Sequence, residues 1–286
     1  MFKKNFIFKI IIIQLLGLNL LQFQSLKAFV PYFSLPSKKF LQKNSSILGK
    51  NAYQLLYFGQ FKEGLALAKL AISLNPNNEA LWALLAEAQI NNKLYDQALV
   101  SIKKGKIINP SIAELYFAES TIFINQNKIQ NAKKSLIKGL ALKPKNINGL
   151  FQLGNIFILE KKYAKALKEY NKIIKIKDNF WQAINNKGLV YFEINKKILA
   201  ADNFKQAIKI ERNAEPILAL AVCLQYTNKE KSISLVKEAL KKNPKYVSFE
   251  FRKEQLWGKE LQTATENLLE LDELKNDIIE ANLYKN

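Results

Sequence analysis

Apolar and small side chains recur along this chain at helical spacing, and the pattern returns every 34 positions. Pro76, Pro110 and Pro144 mark the step, Asp178 and Arg212 continue it, and Pro244 comes after a step two residues shorter. Counted from a first helix, the units start at Ser45, Glu79, Ala113, Ile147, Trp181 and Glu215. Small residues hold the eighth position (Ala52, Ala86, Ser120, Gly154, Gly188) and the twentieth (Gly64, Ala98, Ala132, Ala166, Ala200). Ala71, Gly105, Gly139, Ile173 and Ala207 stand at the twenty-seventh. Large residues stand at the fourth, eleventh and twenty-fourth, among them Trp82, Phe123, Phe157, Tyr191, Tyr170 and Phe204. This spacing predicts two helices per unit. They cross at positions 8 and 20, where small side chains allow close approach, and position 27 meets the next unit. Large side chains fill the space between. A unit this short cannot bury its own apolar face, so units must stack. The predicted fold is all-α, an α-solenoid of about six helical hairpins over residues 45–246.

The flanks differ. Lys3, Lys4 and Lys9 precede the apolar run Ile10–Leu21, and Ala28 comes after a short polar stretch. This order over residues 1–28 is that of a secretory signal peptide, with a retained membrane anchor or organelle targeting as alternatives. Export across a membrane, or anchoring in one, is therefore expected, with membrane contact through residues 1–28. Candidate locations are the periplasm, the thylakoid lumen or a membrane surface. Residues 29–44, with Pro31 and Pro36, read as a linker. Beyond Pro244, residues 247–271 read as one capping helix bearing Phe249, Leu256, Leu261, Leu268 and Leu269. Residues 272–286 read as a flexible, acidic tail.

Composition narrows the chemistry. The 286 residues contain no histidine and one cysteine, Cys223, which excludes Ser-His and Cys-His catalysis, an ordinary zinc site and an internal disulfide. No residue cluster resembles an active site, so the chain is not expected to be an enzyme or to take a cofactor, metal or small-molecule substrate. Cys223, a lone thiol on an apolar helix, reads as packing. The formal charge is +20, but lysine greatly outnumbers arginine and is scattered over every helix. That is a solvated coat rather than a nucleic-acid stripe, which favours the planar arginine fork.

The small and large positions above, with Tyr95 and Tyr163 at the turns, resemble the tetratricopeptide repeat family over residues 45–246. The sixth unit departs, losing two residues between Tyr226 and Ser232 and placing Val222 at position 8, so looser packing is expected there. The stretch Glu254–Gly258 followed by Leu261 loosely resembles the ends of some cyanobacterial repeat proteins. The family resemblance implies a right-handed superhelix whose first-helix positions 2, 5, 9 and 12 line an inner groove. Here those positions supply Tyr53, Glu87, Phe117, Thr121, Phe151, Asn155, Asn185 and Leu189. Paired rings beside amides suit an extended peptide. The same phenylalanines are equally consistent with packing against neighbouring helices. The family's carboxylate clamp needs Lys and Asn where Gly49 and Tyr53 stand, and Ala83 and Glu87 occupy those places in the second unit, so that clamp is missing. The leading expectation is a non-enzymatic scaffold that holds a protein or extended peptide, with membrane-complex assembly as its setting. The alternative is a basic surface for nucleic acid or anionic membrane.

Overall fold

The computed structural model describes residues 35–285. The expected signal or anchor segment, residues 1–28, lies outside them. The chain divides into units Met1–Leu41 and Gln42–Asn286, and the second carries all the repeats.

Twelve helices pair into six antiparallel hairpins. They are α1 (Lys38–Tyr57) with α2 (Phe61–Leu74), α3 (Glu79–Asn91) with α4 (Tyr95–Ile108), and α5 (Ala113–Asn125) with α6 (Ile129–Leu142). Then come α7 (Ile147–Leu159) with α8 (Tyr163–Ile176), α9 (Trp181–Glu193) with α10 (Lys197–Ile210), and α11 (Ala214–Leu224) with α12 (Lys229–Lys242). Among the described residues there is no strand. The first helix starts at Lys38, inside the stretch expected to be a linker. Pro36 restricts only the backbone beside it, and the helix begins two residues later.

The 34-residue step is visible as physics. Position 8 touches position 24: a Cβ on Gly154 would stand 2.6 Å from the Tyr170 ring, and one on Gly188 would collide with Phe204. Position 15 is the left-handed turn residue of hairpins one to five, with φ of 77° at Gly59, 60° at Lys93, 56° at Asn127, 55° at Lys161 and 58° at Asn195. Position 4 pins the preceding loop. The Trp82 indole donates to the Pro76 carbonyl at 2.8 Å, and the Tyr116 hydroxyl to that of Pro110 at 2.9 Å. Asn78 and Asn146, both at position 34, cap the next helix through Leu81 N and Gly149 N. The core runs as successive clusters between neighbouring hairpins, and within the described residues each is built from side chains between Leu48 and Ala281.

The C-terminal region departs from expectation. Instead of one helix over 247–271, the chain forms a 3-10 turn (Pro244–Val247), α13 (Phe249–Glu254), an irregular stretch, and α14 (Lys259–Leu269). The expected tail contains a further helix, α15 (Lys275–Tyr284). The cause is a fully buried Arg252. Its guanidinium donates to the Tyr246 carbonyl at 2.7 Å, the Val247 carbonyl at 3.0 Å and Gln262 Oε1 at 2.8 Å, and pairs with Glu266. Those bonds fold α14 back beside the turn that precedes α13. Leu256 adopts φ 67°, which ends α13. Consequently α14 packs on α9 and α11, the first helices of hairpins five and six, and α15 packs on α12. The sixth hairpin is therefore not loose. Val222 is buried in the largest core cluster, which also holds Trp257, Leu261, Leu268, Leu274 and Ala281.

Candidate functional site

First helices line the inner face, and that face has two unlike halves. Over hairpins one to four it is an open trough of about 680 Å³. Side chains of α1, α3, α5 and α7 form it, including Tyr53, Ala83, Glu87, Ile90, Phe117, Thr121, Asn148 and Gln152. Apolar groups dominate its floor, and amides and carboxylates stand along it. Thr121 Oγ1 donates to the Phe117 carbonyl at 3.1 Å. The Phe117 ring lies against Gly139 and Gly149, where no other residue would leave it room. Glu87 remains exposed, yet the surrounding walls strip water from its carboxyl and push it above the ordinary value. Glu114, also lining the trough, pairs with Lys143 of the same hairpin. Gln152 offers a buried Oε1 that no protein donor meets.

Over hairpins five and six the inner face is closed by the chain itself. Trp257 is buried, and its indole N–H donates to Glu215 Oε1 at 3.1 Å. Glu193, the last residue of α9, accepts the backbone N–H groups of Glu260 at 3.3 Å and Leu261 at 3.0 Å. It thus caps α14 from another helix, placing a carboxylate at the positive end of that helix's dipole. Gly258 is required at this contact, because a Cβ there would strike the Glu193 carboxyl, which those two N–H groups hold in place. Leu256 packs into the cluster of hairpins four and five beside Phe151 and Phe180. Residues 255–261 thus lie along the inner face as a resident strap.

The sequence-derived groove residues divide between the halves. Tyr53, Glu87, Phe117 and Thr121 come together in the trough. Phe151 turns to its neighbours, with its ring 5.9 Å from Tyr170 and 5.5 Å from Phe180. Asn155 is engaged: its Oδ1 accepts the Tyr170 hydroxyl at 2.7 Å and the Asn186 amide at 3.0 Å. Asn185 and Leu189 present no surface to a guest. Both are fully buried, and Leu189 shares its core with Trp257 and Leu261. The strap is the reason, since it covers positions that would otherwise face the groove. Asn91 and Gln152, which the sequence does not single out, line the trough from positions 13 and 6. Glu114 occupies position 2, which the groove rule already contains.

Among the described residues no group of His, Cys, Asp and Glu could hold a metal ion. Cys223 is partly buried against the core, and burial pushes its thiol up to about 12. Fold and site together define a class: a stack of helical hairpins presenting an open trough on its inner face.

That class has a name. Tetratricopeptide repeat family profiles match residues 55–114 and, repeat by repeat, 113–146, 147–180 and 182–213. The chain belongs to the tetratricopeptide repeat family. No curated protein sequence matches it. Similar solved structures include PilF of Pseudomonas aeruginosa, 15% identical with a TM-score of 0.64, the match covering 75% of this chain and 98% of that one. PilW, a type IV pilus biogenesis factor, is 17% identical with a TM-score of 0.60, covering 77% and 98%. YrrB, described as a repeat protein with an unusual peptide-binding site, is 18% identical with a TM-score of 0.53, covering 62% and 92%. At these identities the likeness is one of fold.

Proposed function

We propose that this chain is a non-enzymatic scaffold that holds a segment of another protein in the trough of hairpins one to four, and that it serves the assembly of a membrane complex. The observation that carries the reading is the division of the inner face. The strap seals hairpins five and six, while the trough stays open with an apolar floor, a desolvated Glu87 and an unmet Gln152 acceptor. An extended peptide offers what those groups lack: side chains for the floor and N–H donors for the amide and carboxylate. The membrane setting rests on the basic-then-apolar order of residues 1–28. YrrB, with its peptide-binding site, is a precedent in the same fold.

The test is site-specific photo-crosslinking in cells of origin, with the reactive group at position 121 or 87. A discrete partner should cross-link from both positions, and Thr121→Arg, which fills the trough with a charged stem, should abolish cross-linking from position 87. Cross-links that survive Thr121→Arg, or that arise equally from the convex face, would place partner binding elsewhere.

A further inference from the structure

The turn within each hairpin falls on one rim of the stack, and the loops joining successive hairpins fall on the other. The two rims are unlike. On the joining-loop rim the equivalent last-turn side chains Ile108, Leu142 and Ile176 are only 40–42% exposed, and Ile107 stands out further but singly. On the turn rim, Ile198 and Tyr226 are 81% and 80% exposed, and Leu159 projects from the neighbouring turn. These three sit on the consecutive turns of hairpins four, five and six. Lysines stand on the same turns: Lys161 and Lys196 are exposed, and Lys161 also feels the charge of Glu193 without a direct ion pair. Carboxylates lie near the turns as well, and exposed Glu260 acts with Glu193 on the Tyr163 hydroxyl after the fourth turn. Glu160 is held by Lys133 and Lys162, and Glu193 turns inward to cap α14. Glu230 remains exposed at the margin.

Single apolar side chains projecting from separate turns, with lysines on the same turns, have a specific physical meaning. They come from three separate turns, whereas a protein interface buries one contiguous apolar patch. Lysine gives a point charge without the planar fork that reads bases, and no ring stack is presented for single-stranded nucleic acid. A bilayer surface suits this geometry: separate tips enter the headgroup region while the ammonium groups meet anionic lipid. The turn of hairpin one bears an exposed aromatic pair, Tyr57 and Phe58, separated from this group by the turns of hairpins two and three, where no large apolar side chain is exposed.

We propose that the rim formed by the turns of hairpins four to six is an interfacial contact for an anionic lipid bilayer, built around Leu159, Ile198 and Tyr226 with Lys161 and Lys196. This surface shares no residue with the trough lining and does not rest on the scaffold reading. It also needs nothing from residues 1–28, which allows a clean test. Residues 42–286 form one compact unit whose core clusters consist of its own side chains, so this unit is used, with its thermal melt as the folding check. It is co-sedimented with vesicles of phosphatidylglycerol mixed with phosphatidylcholine, and with vesicles of phosphatidylcholine alone.

Binding to the anionic vesicles alone is expected, and it should weaken as salt rises. Ile198→Glu with Tyr226→Glu, and separately Lys161→Ala with Lys196→Ala, should each weaken it by about tenfold or more without altering the melt. Thr121→Arg should leave it unchanged, which separates this contact from the trough. The proposal is overturned if the unit ignores anionic vesicles at low salt, or if both double variants bind as well as the parent. Binding of single-stranded RNA without vesicle binding would overturn it equally.

Discussion

Two glutamates show how surroundings set the behaviour of one residue type. Glu160 accepts hydrogen bonds from Lys133, Lys162 and Gln130, and those donors hold its carboxyl down at about 2. Glu215 lies under the strap with its carboxyl crowded by protein atoms, and burial drives it up to about 7, against the hydrogen bonds from Trp257 and Asn185. Burial also pushes the Tyr170 and Tyr246 hydroxyls up, and a charge on Glu215 pushes both further. A carboxyl raised in the folded protein favours folding most when protonated. Its contribution is complete below the ordinary value of 4.5 and is lost as pH rises through about 7. The difference is about 3 kcal/mol at most. Thermal melts of the chain and of Glu215→Gln, followed from mildly acidic to mildly alkaline pH, should therefore diverge, with the parent losing stability relative to the variant as pH rises. Parallel curves would show that Glu215 is not buried beneath the strap. Glu160 works with the opposite sign and in a lower window, its contribution fading as pH falls from 4.5 towards 2, so the two do not interfere.

Within a single hairpin, the two helices depend on one close approach. Gly188 of α9 lies directly under the Phe204 ring of α10, and both residues are fully packed. Gly188→Ala should destabilise the fold by about 1–3 kcal/mol, because the ring has nowhere to move. Chemical denaturation measures this directly, and an unchanged midpoint would mean that the helices separate freely at this crossing. Positions 8, 20 and 24 make this contact legible in the sequence, since its partners are fixed by the repeat and lie within one hairpin. The trough is legible through the family resemblance, which implies the first-helix positions that Tyr53, Glu87, Phe117 and Thr121 occupy. The strap is not. Phe249, Leu256, Leu261 and Leu268 keep a helical period, and the break between Glu254 and Lys259 comes from partners distant in sequence. Glu193 caps α14 from 67 and 68 residues away, and Trp257 finds Glu215 across 42. A local pattern carries no trace of either bond. Asn185 and Leu189 escape a sequence reading for that same reason, since only the folded strap removes them from the groove.

Along the full stack, the strap ties hairpins that nearest-neighbour stacking would leave less connected. In a solenoid each unit stabilises only those beside it, so disturbance should decay along the array. Here Leu256 reaches the cluster of hairpins four and five, Trp257 and Leu261 enter that of five and six, and Leu274 and Ala281 continue the second into α15. Lys229 pairs with Glu273, and Lys237 with Asp277, which fastens the end of the chain to α12. The C-terminal half therefore has one large shared core, whereas hairpins one to four have successive small ones. Removing the indole tests whether this difference is energetic. Trp257→Ala should cost about 3–5 kcal/mol in the C-terminal half, where it opens a cavity and frees the Glu215 carboxyl. Native-state hydrogen exchange should show faster exchange in α9, α11 and α14 together, with α3, α5 and α7 unchanged. The open trough would then keep its shape while the closed half loosens, as expected if a guest site and a stabilising core have been separated along one array. Equal acceleration in α3 to α7 would show instead that the whole stack opens as one unit, and that the strap stabilises the trough as much as the helices it covers.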